Sequence, residues 1–429
     1  MKLTLKLKKR VVITGLGVVA PNGVGLEAFT HAIKNGISGI KHDAELERLQ
    51  FSCQISGKPE ISRELSLNYF TELELRNFNS SGILYGVIAG IDAWKDAGLS
   101  MDIQEEPDWN SGTIFGTGTS GIDKFRESIY KIDDLQTRKL GSTAVAQTMN
   151  SGVSAYLGGK LGLGNQVTTN SSACTTGTES IMMAYERIQL GQAKRILAGS
   201  TSDSGPYIWG GFDAMKVCTF KHNDTPEKGS RPMSETASGF VPGSGAGALV
   251  LEDLESALKR GATIYAEVLG GNINSGGQRG LGTMTAPNPI AVQKCIKDAI
   301  QNAGISTNEI DAINGHLTAT SKDSLEIQNW SEALDRKGMD FPYINSLKSM
   351  VGHCLTAAGS IESVASVLQL HHGFIFPNIN CEDLNSDIIK IIDATKIPKQ
   401  VVAKELNIVA KASFGFGDVN GCVIFKKYK

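Results

Sequence analysis

The 429-residue chain contains no long apolar run, no excess of basic charge and no paired-cysteine spacing. Without a stretch of 18 apolar residues, no membrane-spanning helix is expected. Forty-two Lys plus Arg stand against 44 Asp plus Glu, a formal net charge of −2, so the strongly basic surface of a nucleic-acid-binding domain is missing. Seven cysteines are scattered from Cys53 to Cys422 with no C-x-x-C pattern, which argues against a disulfide framework and against a zinc site, and leads us to expect a reducing cytoplasm. The basic N-terminus, Met1 to Arg10, alternates Lys with Leu and lacks the apolar core of a signal peptide. It reads as an edge-strand extension.

What is present is ordinary globular material. With 41% hydrophobic and 20% charged residues, the chain can bury a large core in one or two domains. Strand-like runs at Arg10–Val19, Gly112–Gly116, Arg195–Gly199, Gly247–Leu251 and Thr263–Gly271 alternate with helical patterns at Leu26–Asn35, Ser81–Ala97, Thr178–Leu190, Pro289–Ala303 and Ala357–His371. The fold class is therefore α/β. The alternation restarts after Ser256–Gly261, which predicts two α/β halves, 1–260 and 261–429. His371 and His372, followed by Gly373, read as a helix C-terminus, with metal binding as the alternative.

Cys174 lies in Asn170-Ser-Ser-Ala-Cys-Thr-Thr-Gly177, small residues leading directly into a helical pattern. A thiol in the first turn of a helix meets free N–H groups and the positive dipole end, which favours its thiolate. Gly177 and its small neighbours would let a substrate carbonyl approach the backbone. The window fits a nucleophile and a buried structural cysteine equally well. Two histidine motifs tilt the balance. His316 follows the short buried run Asp311–Asn314 and precedes Thr318 and Thr320, two hydroxyls able to bond a polar ligand. Lys348 and His353, in Lys348-Ser-Met-Val-Gly-His353, occupy a second strand exit before an Ala/Gly-rich helix. Two histidines and a lysine without an orienting Asp or Asn point away from a protease triad.

Taken together and in order, Ser172-Ala-Cys-Thr-Thr-Gly177, Gly315-His-Leu-Thr-Ala-Thr320, Lys348-Ser-Met-Val-Gly-His353 and Ser413-Phe-Gly-Phe-Gly-Asp-Val-Asn420 resemble the β-ketoacyl-acyl carrier protein synthases of the I/II type. The last of these motifs follows the apolar run Asn407–Ser413. The resemblance spans nearly the whole chain. It implies a thiolase-like five-layer αβαβα fold of two similar halves, with the cysteine in the first and both histidines in the second. It also implies decarboxylative Claisen condensation with acyl groups carried on the phosphopantetheine of an acyl carrier protein, and no other cofactor or metal. In this resemblance Cys174 takes the acyl group, and His316 and His353 stabilise the enolate. The backbone N–H groups of Cys174 and Phe416 hold the acyl oxygen. Lys348, paired with Glu362, orders the histidine pocket, Thr318 and Thr320 touch pantetheine, and Phe416 gates the site beside Phe414. Thr119 faces the acyl tunnel, and Lys216 and Lys221 receive the carrier.

Some positions depart from the family pattern. Leu317 and Ala319 replace small residues, the stretch from His316 to Asp323 is one residue short, and Arg231–Gly245 has lost several charges. Fatty-acid elongation is the first reading, and a polyene or polyketide-like pathway the alternative. A non-catalytic chain-length partner is the reading from another class, although such partners lack the cysteine. The resemblance implies a homodimer, with a heterodimer with a chain-length partner as the variant.

Overall fold

The computed structural model describes residues 8–102 and 104–429. The expected edge strand over residues 1–10 falls mostly on residues outside that range, and Lys8, Lys9 and Arg10 form no strand. Ten principal strands build the molecule: β1 Val11–Ala20, β2 Ser111–Thr117, β3 Val167–Thr168, β4 Arg195–Ser202, β5 Gly245–Asp253, β6 Ala266–Ser275, β7 Ala312–Asn314, β8 Tyr343–Asn345, β9 Ile408–Gly415 and β10 Val419–Lys426. Their spatial order is β8-β7-β9-β10-β6-β1-β5-β4-β2-β3.

This order contains one pattern twice. Counting within each set of five, β1 to β5 and β6 to β10 both run 1-5-4-2-3. In both, the second strand pairs parallel with the third and fourth, and the fifth pairs antiparallel with the fourth and first. The two sheets touch where Val11–Ile13 pairs with Ala266–Val268. No sequence repeat announces this duplication.

Two helices fill the space between the sheets. The helices are α1 Ser81–Asp96, α2 Gly152–Leu161, α3 Thr176–Gln189, α4 Pro289–Ala303, α5 Asp323–Leu334 and α6 Ala358–His372. Helices α3 and α6 touch strands of both sheets, whereas α1 and α2 cover the outer face of the first and α4 that of the second, with α5 packed on α4. The result is the five-layer αβαβα sandwich. Helix α6 is buried along Ala358–Leu370, as its lack of a polar face requires of a helix walled on every side. It ends at His372 with Gly373 in the left-handed conformation, so the histidine pair is a C-terminus.

The central helices approach to backbone contact. A Cβ on Gly177 would lie 2.3 Å from the Ser360 amide nitrogen, and one on Gly359 would lie 2.6 Å from that of Thr178. This corrects the expected purpose of Gly177. Its missing side chain admits the opposing helix, not a substrate carbonyl. Hydroxyl pairs tie each central helix to a sheet: Ser360 of α6 to Ser200 of β4 at 2.7 Å, and Thr178 of α3 to Ser413 of β9 at 2.9 Å.

Candidate active site

The turn that carries Cys174 is held from several directions. Ala173 has φ +48°, an unusual conformation for a residue with a Cβ. Surrounding hydrogen bonds fix it there: the Thr176 hydroxyl donates to the Ala173 carbonyl at 2.7 Å and accepts from the Ser172 amide at 2.9 Å. Glu179 accepts from the Ser172 hydroxyl at 2.6 Å and from Asn170 at 2.9 Å. Cys174 precedes α3, whose N-cap is Thr175, so it sits before the first turn rather than within it.

The thiol also differs from the sequence expectation in charge. Burial pushes Cys174 up to about 11, against the opposing pull of Lys348 and of the Phe416 and Cys174 backbone N–H groups. Desolvation of a sulfur anion outweighs the favourable dipoles in the resting protein.

Strand exits of the second half supply the facing groups. His316 follows β7, and its amide and that of Leu317 each donate at 2.7 Å to Glu326 on α5. His353 follows the short helix Lys348–Val351, which stands where the sequence suggested a loop. The His353 amide donates to the Val241 carbonyl at 2.7 Å. Cys174 Sγ and His353 Nε2 are 3.1 Å apart although 179 residues separate them. The rings of His316 and His353 meet edge to face with centroids 5.3 Å apart. Burial lowers the proton affinity of both rings well below the ordinary histidine value, with Lys348 adding to the effect, so both are neutral imidazoles.

Sγ and one nitrogen of each ring lie within 4.8 Å of one another, a spacing that a soft metal ion could bridge. The lysine side chains behind them oppose a cation. Lys348 pairs with Glu362, itself buried on α6. A second lysine, Lys411 of β9, reaches the other Glu362 oxygen at 2.9 Å and is fully buried. The sequence reading passed over Lys411 inside an apolar run. Its signal was a lone charge at the centre of a strand with apolar neighbours.

A cavity of about 290 Å3 opens onto this cluster. Its walls include Phe212, Phe240, Phe414, Phe416, Thr318 and Thr320, with Lys322 among its lining residues. Phe414 meets the edge of His316 at 6.1 Å, Phe240 that of His353 at 5.2 Å, and Phe416 packs on Phe212 at 5.9 Å. Thr318 and Thr320 share a hydroxyl contact of 3.1 Å. Thr119 is not brought to the cavity: it is exposed, with its carbonyl accepting from Thr117 at 2.6 Å. Lys216 and Lys221 are exposed and flank Val217, which lines the cavity, without lining it themselves. Exposed Lys322 does line it, and so does Asp323.

Three further residues escaped the sequence reading. Asp323 accepts from the amides of Met233, Thr318 and Ala319, and Glu326 holds the His316 turn as described. Burial raises them to about 6 and about 7. Their i, i+3 spacing at the start of a helix was the available signal. Asp418 has φ +62° and accepts from the amides of Asn288 at 2.8 Å and Gln278 at 3.0 Å. It ties the Phe416 turn to the segment that contributes Thr285, Ala286 and Pro287 to the cavity.

A doubled αβαβα sandwich with a cysteine and two histidines meeting at its centre defines a thiolase-like condensing enzyme. Within that class, the chain matches the family model of the beta-ketoacyl synthase N-terminal domain over residues 8–257 and that of the C-terminal domain over residues 265–382. The chain belongs to the β-ketoacyl synthase family. It is 33% identical to the chloroplastic 3-oxoacyl-[acyl-carrier-protein] synthase I of Arabidopsis thaliana, over 98% of this chain and 87% of that protein. It is 34% identical to 3-oxoacyl-[acyl-carrier-protein] synthase 1 of Escherichia coli K12, over 98% of this chain and all of that one. Among solved structures, it resembles a ketosynthase bound to a hexaketide in complex with its type II polyketide acyl carrier protein. That match has a TM-score of 0.86 and 28% identity, covering 98% of this chain and 100% of the other.

Proposed function

We propose that the protein is a 3-oxoacyl-[acyl-carrier-protein] synthase, an acyltransferase that condenses an acyl group with malonyl carrier protein in fatty-acid elongation. The 3.1 Å contact of Cys174 with His353, beside His316 at the inner end of an open cavity, carries this reading. The Cys174 thiolate attacks the acyl thioester of the carrier's phosphopantetheine, and the carrier thiol leaves with the proton. With the thiol at about 11, forming the thiolate at pH 7 costs about 5 kcal/mol. A turnover of about ten per second corresponds to a barrier of about 16 kcal/mol. The deprotonation cost fits inside that barrier.

Malonyl carrier then enters. Its carboxylate leaves as CO2, and ring N–H groups of His316 and His353 stabilise the enolate oxygen. The enolate carbon bonds to the acyl carbon, the C–S bond to Cys174 breaks, and the thiolate is restored. Amides of Cys174 and Phe416 hold the acyl oxygen in between. Lys348 with Glu362 orders the histidine pair, Thr318 and Thr320 receive the pantetheine arm, and Phe416 gates the second substrate. Lys216 and Lys221, to which Lys322 is added, receive the acidic carrier. No cofactor beyond the carrier's phosphopantetheine takes part.

The same reading divides the chain into 1–260, holding the nucleophile, and 261–429, holding the histidines. It also makes the protein a cytoplasmic homodimer. Free cysteines throughout are compatible with that place, and no helix among the described residues is long and apolar enough to cross a membrane. The two-residue edge strand β3 and the exposed Phe125, Tyr130 and Val145 supply a face for a second copy. A second reading, a polyene or polyketide-like pathway, draws on the Leu317 and Ala319 departures and on the type II polyketide ketosynthase among the similar structures. The non-catalytic partner role is disfavoured by Cys174 itself. Incubation with a panel of acyl carrier thioesters, followed by mass measurement at Cys174, tests the reading. An unmodified Cys174 with every thioester would sink it, and the lengths that load choose between the pathways.

A further inference from the structure

The charged cluster behind the histidines contains one more lysine than a simple pair requires. Glu362 offers one oxygen to Lys348 and the other to Lys411 at 2.9 Å. Lys411 also donates to the Ser413 hydroxyl at 2.9 Å, and that hydroxyl pairs with Thr178 on the nucleophile helix at 2.9 Å. All three ionisable side chains are almost wholly buried, at 0 to 2% exposure. We propose that Lys411 is a positioning residue of the condensing site: by sharing Glu362 with Lys348, it prevents that carboxylate from cancelling the Lys348 charge beside the histidines.

The physical argument concerns how one negative charge is divided. A carboxylate paired with a single buried ammonium forms a nearly neutral unit, whereas one held between two leaves each only partly compensated. The uncompensated positive potential reaches both rings, since Lys348 and Lys411 each oppose protonation of His316 and of His353. The other titratable groups facing these side chains are the Cys174, Cys354 and Cys422 thiols, which burial raises and keeps uncharged, and the carboxyl groups of Glu326 and Asp323. Glu326 is already engaged by two backbone amides and Asp323 by four. Neutral rings are what the enolate needs, because a ring that arrives protonated also holds the substrate carboxylate and opposes its loss.

The proposal rests on the condensing reaction described above, and its test separates the two. Lys411→Met leaves a one-to-one Lys348–Glu362 pair, so no charge is stranded and the fold should persist. Two readouts are used: the pH profile of malonyl-carrier decarboxylation, and the pH titration of the 15N-labelled histidine rings followed by NMR. His316 and His353 resonances are assigned among the seven histidines by their alanine variants. In Lys411→Met, the acid limb of the profile and the midpoints of both rings should move to higher pH by about one pH unit. Lys411→Arg keeps the charge and should keep the wild-type profile. Ring midpoints in Lys411→Met that superimpose on wild type overturn the proposal. So does an unfolded Lys411→Met beside an unaltered Lys411→Arg, which would give the lysine a purely structural role. Absence of decarboxylation in the wild-type protein would count against the condensing reaction, while the ring titration would still decide the part played by Lys411.

Discussion

Cys174 lies buried in one cluster with His316 and His353. Cys174→Ala should abolish acyl-enzyme formation and condensation with little change in thermal midpoint, since the only side chain its thiol bonds is that of His353. Condensation near the wild-type rate would remove Cys174 from the reaction. His353→Ala should suppress malonyl decarboxylation while acyl transfer to Cys174, followed by intact-protein mass, persists; unchanged decarboxylation would count against enolate stabilisation. The pH dependence has a definite sign. Because burial holds the thiol near 11, iodoacetamide labelling of Cys174 should still be accelerating at pH 10, where an exposed thiol of ordinary pKa, about 8.5, has levelled off. A plateau near pH 8 would mean the site itself lowers the thiol.

Elements, more than residues, bring the site together, and here the sequence was only partly readable. The helices at Ser81, Pro289 and Ala358 stand within a residue or so of their expected limits, because caps and Gly373 mark their ends. Some strands run longer than expected: β5 extends from Gly245 to Asp253, since glycine and alanine at one end and glutamate and aspartate at the other hide a ladder made by pairing rather than propensity. The short helix carrying Lys348 was invisible because four residues leave no periodicity. Motif spacing located Cys174, His316 and His353, yet nothing local placed them together. That proximity is set by the α3/α6 crossing. Gly177→Ala should therefore destabilise the protein by about 3 kcal/mol through backbone overpacking and weaken condensation as well, measured by urea unfolding and turnover. A variant as stable and active as wild type would mean the helices can separate without cost. Asp418→Ala, which strands two amides and leaves a Cβ in the left-handed region, should increase proteolytic cleavage within residues 276–288. An unaltered cleavage pattern would release Asp418 from its tethering role.

At the scale of the whole molecule, the residues alone signal the duplication as an alternation that restarts near residue 260, and the family resemblance signals it as two similar halves. Homologous positions in the two halves carry different chemistry, so no repeated residues remain to betray the shared topology. The buried thiols give the molecule a collective response to alkali. Burial raises Cys174 and Cys381 to about 11 and Cys53 and Cys422 to about 12, from an ordinary value of 9.0. Unfolded thiols thus ionise first, so stability is fully present below pH 9 and is lost as pH rises toward 11. Thermal midpoints should decline across pH 9 to 10.5, and less steeply in a Cys53→Ala/Cys381→Ala double variant. Equal slopes in the two proteins would assign alkaline sensitivity to other groups.

All seven cysteines are free and buried, and Cys174 is the one that lines the cavity. The folded chain therefore carries its own gauge of quality. A slender thiol reagent that fits the passage should consume one equivalent per competent molecule, and the remaining thiols become available only when the sandwich opens. The ratio of fast to total sulfhydryl in any preparation then reports the fraction of chains whose two halves have closed correctly, without a substrate and without knowledge of the acyl chain that nature loads.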